Sequence, residues 1–268
     1  MQYRILGKTG LKVSAVGFGG IPIQRIDARG TRALMERLVE KGVNYIDTAR
    51  GYTVSESYLG EALSGGLREK FILATKSMSR GYADMARDIG ISLSNLRTDY
   101  IDLYQLHNIK SDADFELAFS AEGAVAAIQD AIRAGKVGHL GATAHSVDSF
   151  ERLLSYPEIE TIMFPYNIVE SQGEALMERA AAQNVGVIAM KPLAGGNITD
   201  GTLAMRYILQ NKTCTLAIPG MATLEEIEQN TAAAEQDGPL TPEELAAQLG
   251  VSRQSVSKWE GAQSVPDM

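Results

Sequence analysis

Short apolar runs recur along the chain, separated by longer stretches in which apolar residues return every three or four positions. The runs are VSAVGF (13–18), NYIDTA (44–49), FILATK (71–76), DLYQLH (102–107), HLGATA (139–144), TIMFPY (161–166), GVIAMK (186–191) and CTLAIPG (214–220). Most are nearly continuous rather than alternating in polarity, the pattern of parallel strands covered on both faces. The stretches between them predict helices. TRALMERLVEKG (31–42) carries Leu34, Leu38 and Val39 on one face and closes on Gly42. SESYLGEAL (55–63) begins with Ser55 as its N-cap. Further helices are expected over 84–96, 122–135, 146–154, 173–185, 200–211 and 223–234. Eight such strand–helix units in roughly 220 residues match an α/β fold of the (β/α)8 TIM-barrel type.

A doubly wound open sheet gives the same alternation. It usually carries a G-x-G-x-x-G loop after its first strand, whereas here GFGGIP (17–22) follows without that spacing. The barrel is therefore the expected architecture. Ahead of its first strand, YRILGKTGLKVS (3–14) reads as two short strands joined by the turn residues Gly7 to Gly10. Such a hairpin would plug the N-terminal mouth of the barrel; an extended arm is the alternative. The segment after Asn230 changes composition, so the expected organisation is a barrel over 1–234 and a linker with a small helical C-terminal appendage over 235–268.

Bulk properties narrow the function classes. The chain has 268 residues, 45% hydrophobic and 22% charged, with a net charge of −8, so nothing draws it as a whole toward nucleic acid or an anionic membrane. Its single cysteine, Cys214, excludes an intrachain disulfide framework and a multi-cysteine metal or iron–sulfur centre, and no metal site is expected. The N-terminus lacks an apolar signal core and no segment approaches membrane-spanning length. A cytoplasmic location is the expectation, and the oligomeric state is left open.

In a parallel barrel the chemistry gathers at the C-terminal ends of the strands. Four polar residues stand at such places: Asp47 near the end of the second strand, Tyr52 in the loop after it, Lys76 ending the third and His107 ending the fourth. Singly, each has a structural explanation as a cap, an edge cover, a solvated cation or a core histidine. Together they converge from adjacent strands on one mouth. A tyrosine hydroxyl with its usual pKa of about 10 is a poor proton donor unless a nearby cation lowers it. A lysine paired with a buried aspartate supplies that cation, and a histidine can orient a carbonyl oxygen. The set suits protonation of an oxyanion as hydride reaches carbon, and the reverse.

At these residues the sequence resembles the aldo-keto reductase family. The resemblance lies in GVNYIDTARGY (42–52), ILATKS (72–77) and LRTDYIDLYQLHN (96–108), which hold the family's aspartate–tyrosine–lysine–histidine tetrad in order. YRILGKTGLKVSAVGFGG (3–20), AIRAGKVGHLGATAHS (131–146), MFPYNIVE (163–170), VIAMKPLAGG (187–196) and AIPGMATLEEIEQN (217–230) match as well, so it runs from about residue 2 to residue 234. It implies that Tyr52 is the general acid/base, that Lys76 and Asp47 tune it, and that His107 orients the carbonyl of a small-molecule carbonyl or alcohol substrate. It also implies a nicotinamide dinucleotide, NADPH or NADH, bound without a Rossmann loop. The cofactor would lie against Gly20, Ile21, Asp47, Thr143, Met163, Met190, Lys191, Leu193, Gly195, Ile218, Gly220, Glu226, Gln229 and Asn230.

Departures from the family fall on the cofactor side. Where a serine–asparagine pair and a glutamine often hold the carboxamide, this chain has Thr143, Ala144 and Met163. Met190 replaces a tyrosine that commonly stacks on the nicotinamide, and His145 is a candidate substitute contact. Where NADPH-specific members place basic residues, Gly220, Met221 and Glu226 appear. A phosphate without a basic partner and facing a carboxylate is disfavoured, so NADH is expected to be accepted at least as well as NADPH, or both to bind weakly.

The end of the chain, LTPEELAAQLGVSRQSVSKWEGAQSVPDM (240–268), resembles the helix-turn-helix of Cro/C1-type repressors, with Thr241 as N-cap and Pro242 as first helical residue. It is short of the five helices of such a domain. It also sets Arg253 and Lys258 against Glu243, Glu244, Glu260 and Asp267, which is the wrong balance for phosphate contacts. Nucleic-acid binding is not expected despite the tail; a structural remnant or a cover for the mouth fits better. Alternatives to an enzyme are a cofactor-sensing regulator presenting this tail, and a catalytically weak cofactor-binding subunit.

Overall fold

The computed structural model describes residues 1–235 together with Leu240, Thr241, Glu243, Glu244 and Ala246. The chain opens with an antiparallel pair, β1 (Tyr3–Ile5) and β2 (Lys12–Ser14), in the register Tyr3↔Ser14, Arg4↔Val13 and Ile5↔Lys12. The turn between them depends on Gly7, whose φ is +52° and whose place a Cβ would fill only by coming within 2.2 Å of Gly186 N. Leu6 and Val13 are buried with Tyr45, Leu103 and Leu216, so the hairpin plugs the barrel floor as expected. Arg4 fastens it, its guanidinium donating to the carbonyls of Cys214 and Leu209, each at 2.6 Å.

Eight parallel strands follow: β3 (Phe18–Gly19), β4 (Tyr45–Asp47), β5 (Ile72–Ser77), β6 (Ile101–Leu106), β7 (Val137–Thr143), β8 (Thr161–Pro165), β9 (Gly186–Met190) and β10 (Leu216–Ala217). They neighbour one another in chain order. Parallel bridges Val16↔Ala217 and Gly19↔Gly220, with Gly17 N–H donating to Ala217 O at 2.8 Å, join the last strand to the first and close the barrel. Inward residues Tyr45, Ala74, Leu103, Met163 and Ile188 make an inner core, while Ile46, Leu73, Tyr104, Ile162 and Val187 face an outer core shared with the helices.

Those helices are α1 (Ala28–Glu40), α2 (Ser55–Ala62), α3 (Tyr82–Leu96), α4 (Asp112–Ala118), α5 (Ala124–Arg133), α6 (Val147–Leu153), α7 (Glu174–Ala182), α8 (Gly201–Gln210) and α9 (Leu224–Ala232). Helix α4 was not anticipated; a reciprocal capping box between Ser111 and Asp114 starts it. Ser55 is not the cap of α2: its hydroxyl is buried, donating to Gly20 O at 2.9 Å and bonding Thr48 Oγ1 at 2.8 Å, which ties the loops after β3 and β4 together. The run 13–18 also divides, its first residues joining the hairpin and its last forming β3.

Thr241 Oγ1 accepts Glu244 N–H at 3.2 Å and Glu244 accepts Thr241 N–H at 2.8 Å, consistent with Thr241 as an N-cap, and Glu244 pairs with Arg206 of α8 at 2.5 Å. The helix-turn-helix resemblance otherwise lies outside the described residues. No helix among the described residues is long and apolar enough to cross a membrane.

Candidate functional site

The strand period decides which side chains reach the barrel axis. Asp47 lies at the end of β4; Lys76 of β5 and Gln105 of β6 are register partners two positions beyond the inner-core residues Ala74 and Leu103. All three are buried. The Lys76 ammonium donates to the Asp47 carboxylate and, at 2.8 Å, to Thr48 O. Gln105 Nε2 donates to the other Asp47 oxygen at 3.1 Å, so both carboxylate oxygens are engaged. Only the amide nitrogen can face the anion, which fixes the amide's orientation. Gln105 was not singled out in the sequence, although its place two residues before His107 on an inward-facing strand row was visible.

Above this pair stand Tyr52 and His107. The Lys76 ammonium lies 4.8 Å from the centre of the Tyr52 ring, and the Tyr52 and His107 rings meet edge-on at 6.0 Å and 89°. The four tetrad residues are thus brought together in one cluster. Electrostatics differ from the simple expectation in one respect. Burial raises the Tyr52 hydroxyl above its usual value; the Lys76 charge opposes this, Asp47 reinforces it, and the net shift is upward. Lys76 limits the rise rather than reversing it. Burial likewise lifts the Asp47 carboxyl, with Lys76 and Gln105 holding it down. His107 is pushed down to about 3, by burial first and then by Lys76, His145 and Arg80. Its Nδ1 is buried without a partner among the described residues. An orphaned buried N–H is rarer than an orphaned acceptor, so the neutral ring carries its proton on Nε2.

The cluster forms the floor of a cavity of about 570 Å³, within the range that buries small-molecule ligands. Gly20 and Ile21 line it from the loop after β3, Thr143 from the end of β7, His145 from the loop after it, and Met163 from β8. Met190, Lys191, Leu193 and Gly195 line it from β9 and its loop, and Ile218, Gly220 and Glu226 from β10 and beyond. Gln229 and Asn230 do not line it. Gln229 Nε2 turns to Glu225 at 3.4 Å, and Asn230 is buried where α9 meets the start of α8. Arg25 and Ala222, not singled out in the sequence, also face the cavity. Thr143 Oγ1 accepts Asn108 N–H at 2.7 Å, leaving its own proton to donate. The Glu226 carboxylate accepts the N–H groups of Ala222 at 2.6 Å and Thr223 at 3.1 Å in a capping box that starts α9.

A barrel with this floor defines a class, and comparison with known proteins agrees. The aldo/keto reductase family model matches residues 15–202. The chain is 27% identical to L-galactose dehydrogenase of Arabidopsis thaliana, covering 97% of this chain and 93% of that protein. It is 26% identical to the aldo-keto reductase YhdN of Bacillus subtilis over 78% of this chain and 67% of that one. The holo form of an aldo-keto reductase from Bacillus halodurans superposes with a TM-score of 0.81 at 26% identity, covering 96% of each chain. The chain belongs to the aldo/keto reductase family, and it is an oxidoreductase.

Proposed function

We propose that the protein interconverts an aldehyde or ketone and the corresponding alcohol with a nicotinamide dinucleotide, Tyr52 acting as general acid and base. The observation that carries this reading is the buried Lys76–Asp47 pair set beneath Tyr52 and His107 at the floor of the cavity. The cavity suits the dinucleotide, because it continues from the tetrad to the loops after β9, β10 and β3 and offers the free proton of Thr143 near the floor. Met163 and Met190 would give the nicotinamide ring apolar contact in place of amide and aromatic side chains. When bound, the nicotinamide supplies or takes up the hydride at the substrate carbon.

The side chains do the rest. His107, neutral at physiological pH, donates from Nε2 to the carbonyl oxygen and orients it. Tyr52, proton-loaded because burial raises it, donates to the same oxygen as negative charge develops there. The Lys76 ammonium stabilises the phenolate left behind, and Asp47 holds Lys76 in place through a pair closed to solvent. For alcohol oxidation the proton runs the other way.

The cofactor reading is that NADH is accepted at least as well as NADPH. A carboxylate, Glu226, occupies the amide groups at the start of α9, so the wall where the family usually places cations presents a negative charge. A panel of aldehydes, ketones, quinones and alcohols assayed with both nucleotides, alongside fluorescence titration of each, tests the whole reading. Turnover of at least one carbonyl, with NADH bound no more weakly than NADPH, is expected. Tight nucleotide binding with no turnover across the panel would overturn the catalytic reading, and a clear NADPH preference would overturn the cofactor reading.

A further inference from the structure

The wall of the cavity formed by the loops after β9, β10 and β3 has an unusual distribution of charge. Gly19 N–H donates to Pro219 O at 2.9 Å, and a Cβ on Gly220 would come within 2.7 Å of Pro22 Cγ. The first and last loops are therefore pressed together, which only a glycine at 220 allows. That contact sets the 3-10 turn Pro22–Arg25 beside the loop after β10, and Arg25 faces the cavity there. Lys191 lines it just after β9, with a left-handed φ of +55° that a lysine rarely adopts. Neither side chain makes a hydrogen bond or ion pair among the described residues. Other arginines near this end of the barrel are committed: Arg50 pairs with Glu56 at 2.9 Å, and Arg80 donates to His107 O at 2.8 Å. The Glu226 carboxylate, which lines the same cavity, is bound to backbone N–H groups.

We infer that Arg25 and Lys191 together hold the diphosphate of the dinucleotide, the anionic group common to NADH and NADPH. The inference rests on the proposed function and names this chain's own contacts to that part of the cofactor. Two cations lining one cavity match the two charges of a diphosphate. An additional 2′-phosphate on the same wall would meet the Glu226 carboxylate that caps α9. Arginine suits this task because its planar fork can engage two phosphate oxygens at once, whereas lysine acts as a point charge. The other group with the same chemistry is an anionic substrate, a keto acid or an aldehyde phosphate, and the experiment separates the two.

Isothermal titration of NADH and of NADPH into the wild-type protein, Arg25→Gln and Lys191→Gln, at low and high salt, supplies the test. Each variant is expected to weaken both nucleotides by the same factor, about tenfold, and to flatten the salt dependence of binding. Both side chains are exposed, so melting temperatures matching wild type are expected and keep a binding loss from being read as misfolding. A loss confined to NADPH would overturn the inference in favour of a 2′-phosphate contact. Unchanged binding of both nucleotides, with a raised KM only for acidic carbonyl substrates, would overturn it in favour of a substrate site. Unchanged binding with no such KM effect would overturn it outright. A wild-type protein that binds neither nucleotide would overturn the functional reading and this inference with it.

Discussion

The two arcs of the barrel mouth are built on different terms. The arc from β4 to β6 is a closed network: Asp47, Lys76 and Gln105 are buried and bonded to one another, with Tyr52 and His107 above them. The arc from β7 round to β3 is lined by glycines, Thr143, His145 and apolar side chains such as Ile21, Met163, Met190, Leu193 and Ile218, and its charged side chains are Arg25, Lys191 and Glu226. The first arc tolerates little substitution, because removing any partner strands a buried charge or donor. The second can exchange side chains while its main chain stays in place.

The sharpest way to break the comparison is to alter the first arc and ask whether the second notices. Tyr52→Phe keeps the ring over Lys76 and removes only the hydroxyl. Carbonyl reduction is expected to fall by roughly 10²–10⁴-fold, with the dissociation constants for NADH and NADPH unchanged in the same preparation. Turnover near wild type would remove Tyr52 from the mechanism. A comparable loss of nucleotide affinity would show that the two arcs are not separable.

Gln105 offers a finer cut. It does not line the cavity and bonds Asp47, so its expected role is to position that carboxylate. In Gln105→Leu one Asp47 oxygen is buried without a donor, its carboxyl rises further, and its hold on Lys76 loosens. Turnover should drop by roughly ten- to a hundredfold, consistent with about 1.5–3 kcal/mol for a lost hydrogen bond to a charged group, with KM for the carbonyl little changed. In Gln105→Glu the new carboxyl donates to Asp47 only while it is protonated, so activity should be partly kept at low pH and decline as pH rises. Equal loss in both variants at every pH would make Gln105 a packing residue only.

The contrast between the arcs also explains what the sequence made legible. Near-continuous apolar runs located all eight barrel strands, with bounds shifted by up to three residues except over 13–18, where hairpin and barrel share one apolar stretch. The tetrad was legible because each member sits at a strand end or in the short loop that follows. Gln105 escaped notice because a glutamine in an apolar strand has no signature until the inward row of β6 is known to face Asp47. Ser55 was misassigned as a cap, since a serine at a helix start looks the same whether it bonds its own helix or a neighbouring loop. Arg25 was invisible for a related reason: only the contact of Pro22 with Gly220 brings the first loop against the last. Distant partners, not local pattern, set these positions.

The smallest expected effect is an absence, and it tests the electrostatics of the first arc most directly. An unperturbed histidine titrates near pH 6.5, and a catalytic histidine ordinarily puts a break in the pH profile there. Burial and the neighbouring Lys76 hold His107 at about 3, so it stays neutral from pH 5 upward and contributes no break between about pH 5 and 8. Tyr52 must be protonated to serve reduction, and burial raises its pKa above the ordinary tyrosine value. The reduction rate should therefore run flat through neutrality and fall only above about pH 10. Alcohol oxidation, which needs the deprotonated form, should climb with pH over the same range. An inflection near pH 6–7 in reduction that disappears in His107→Gln would show that His107 carries a titrating proton, and would require a floor more open to water than the buried pair of Lys76 and Asp47 implies.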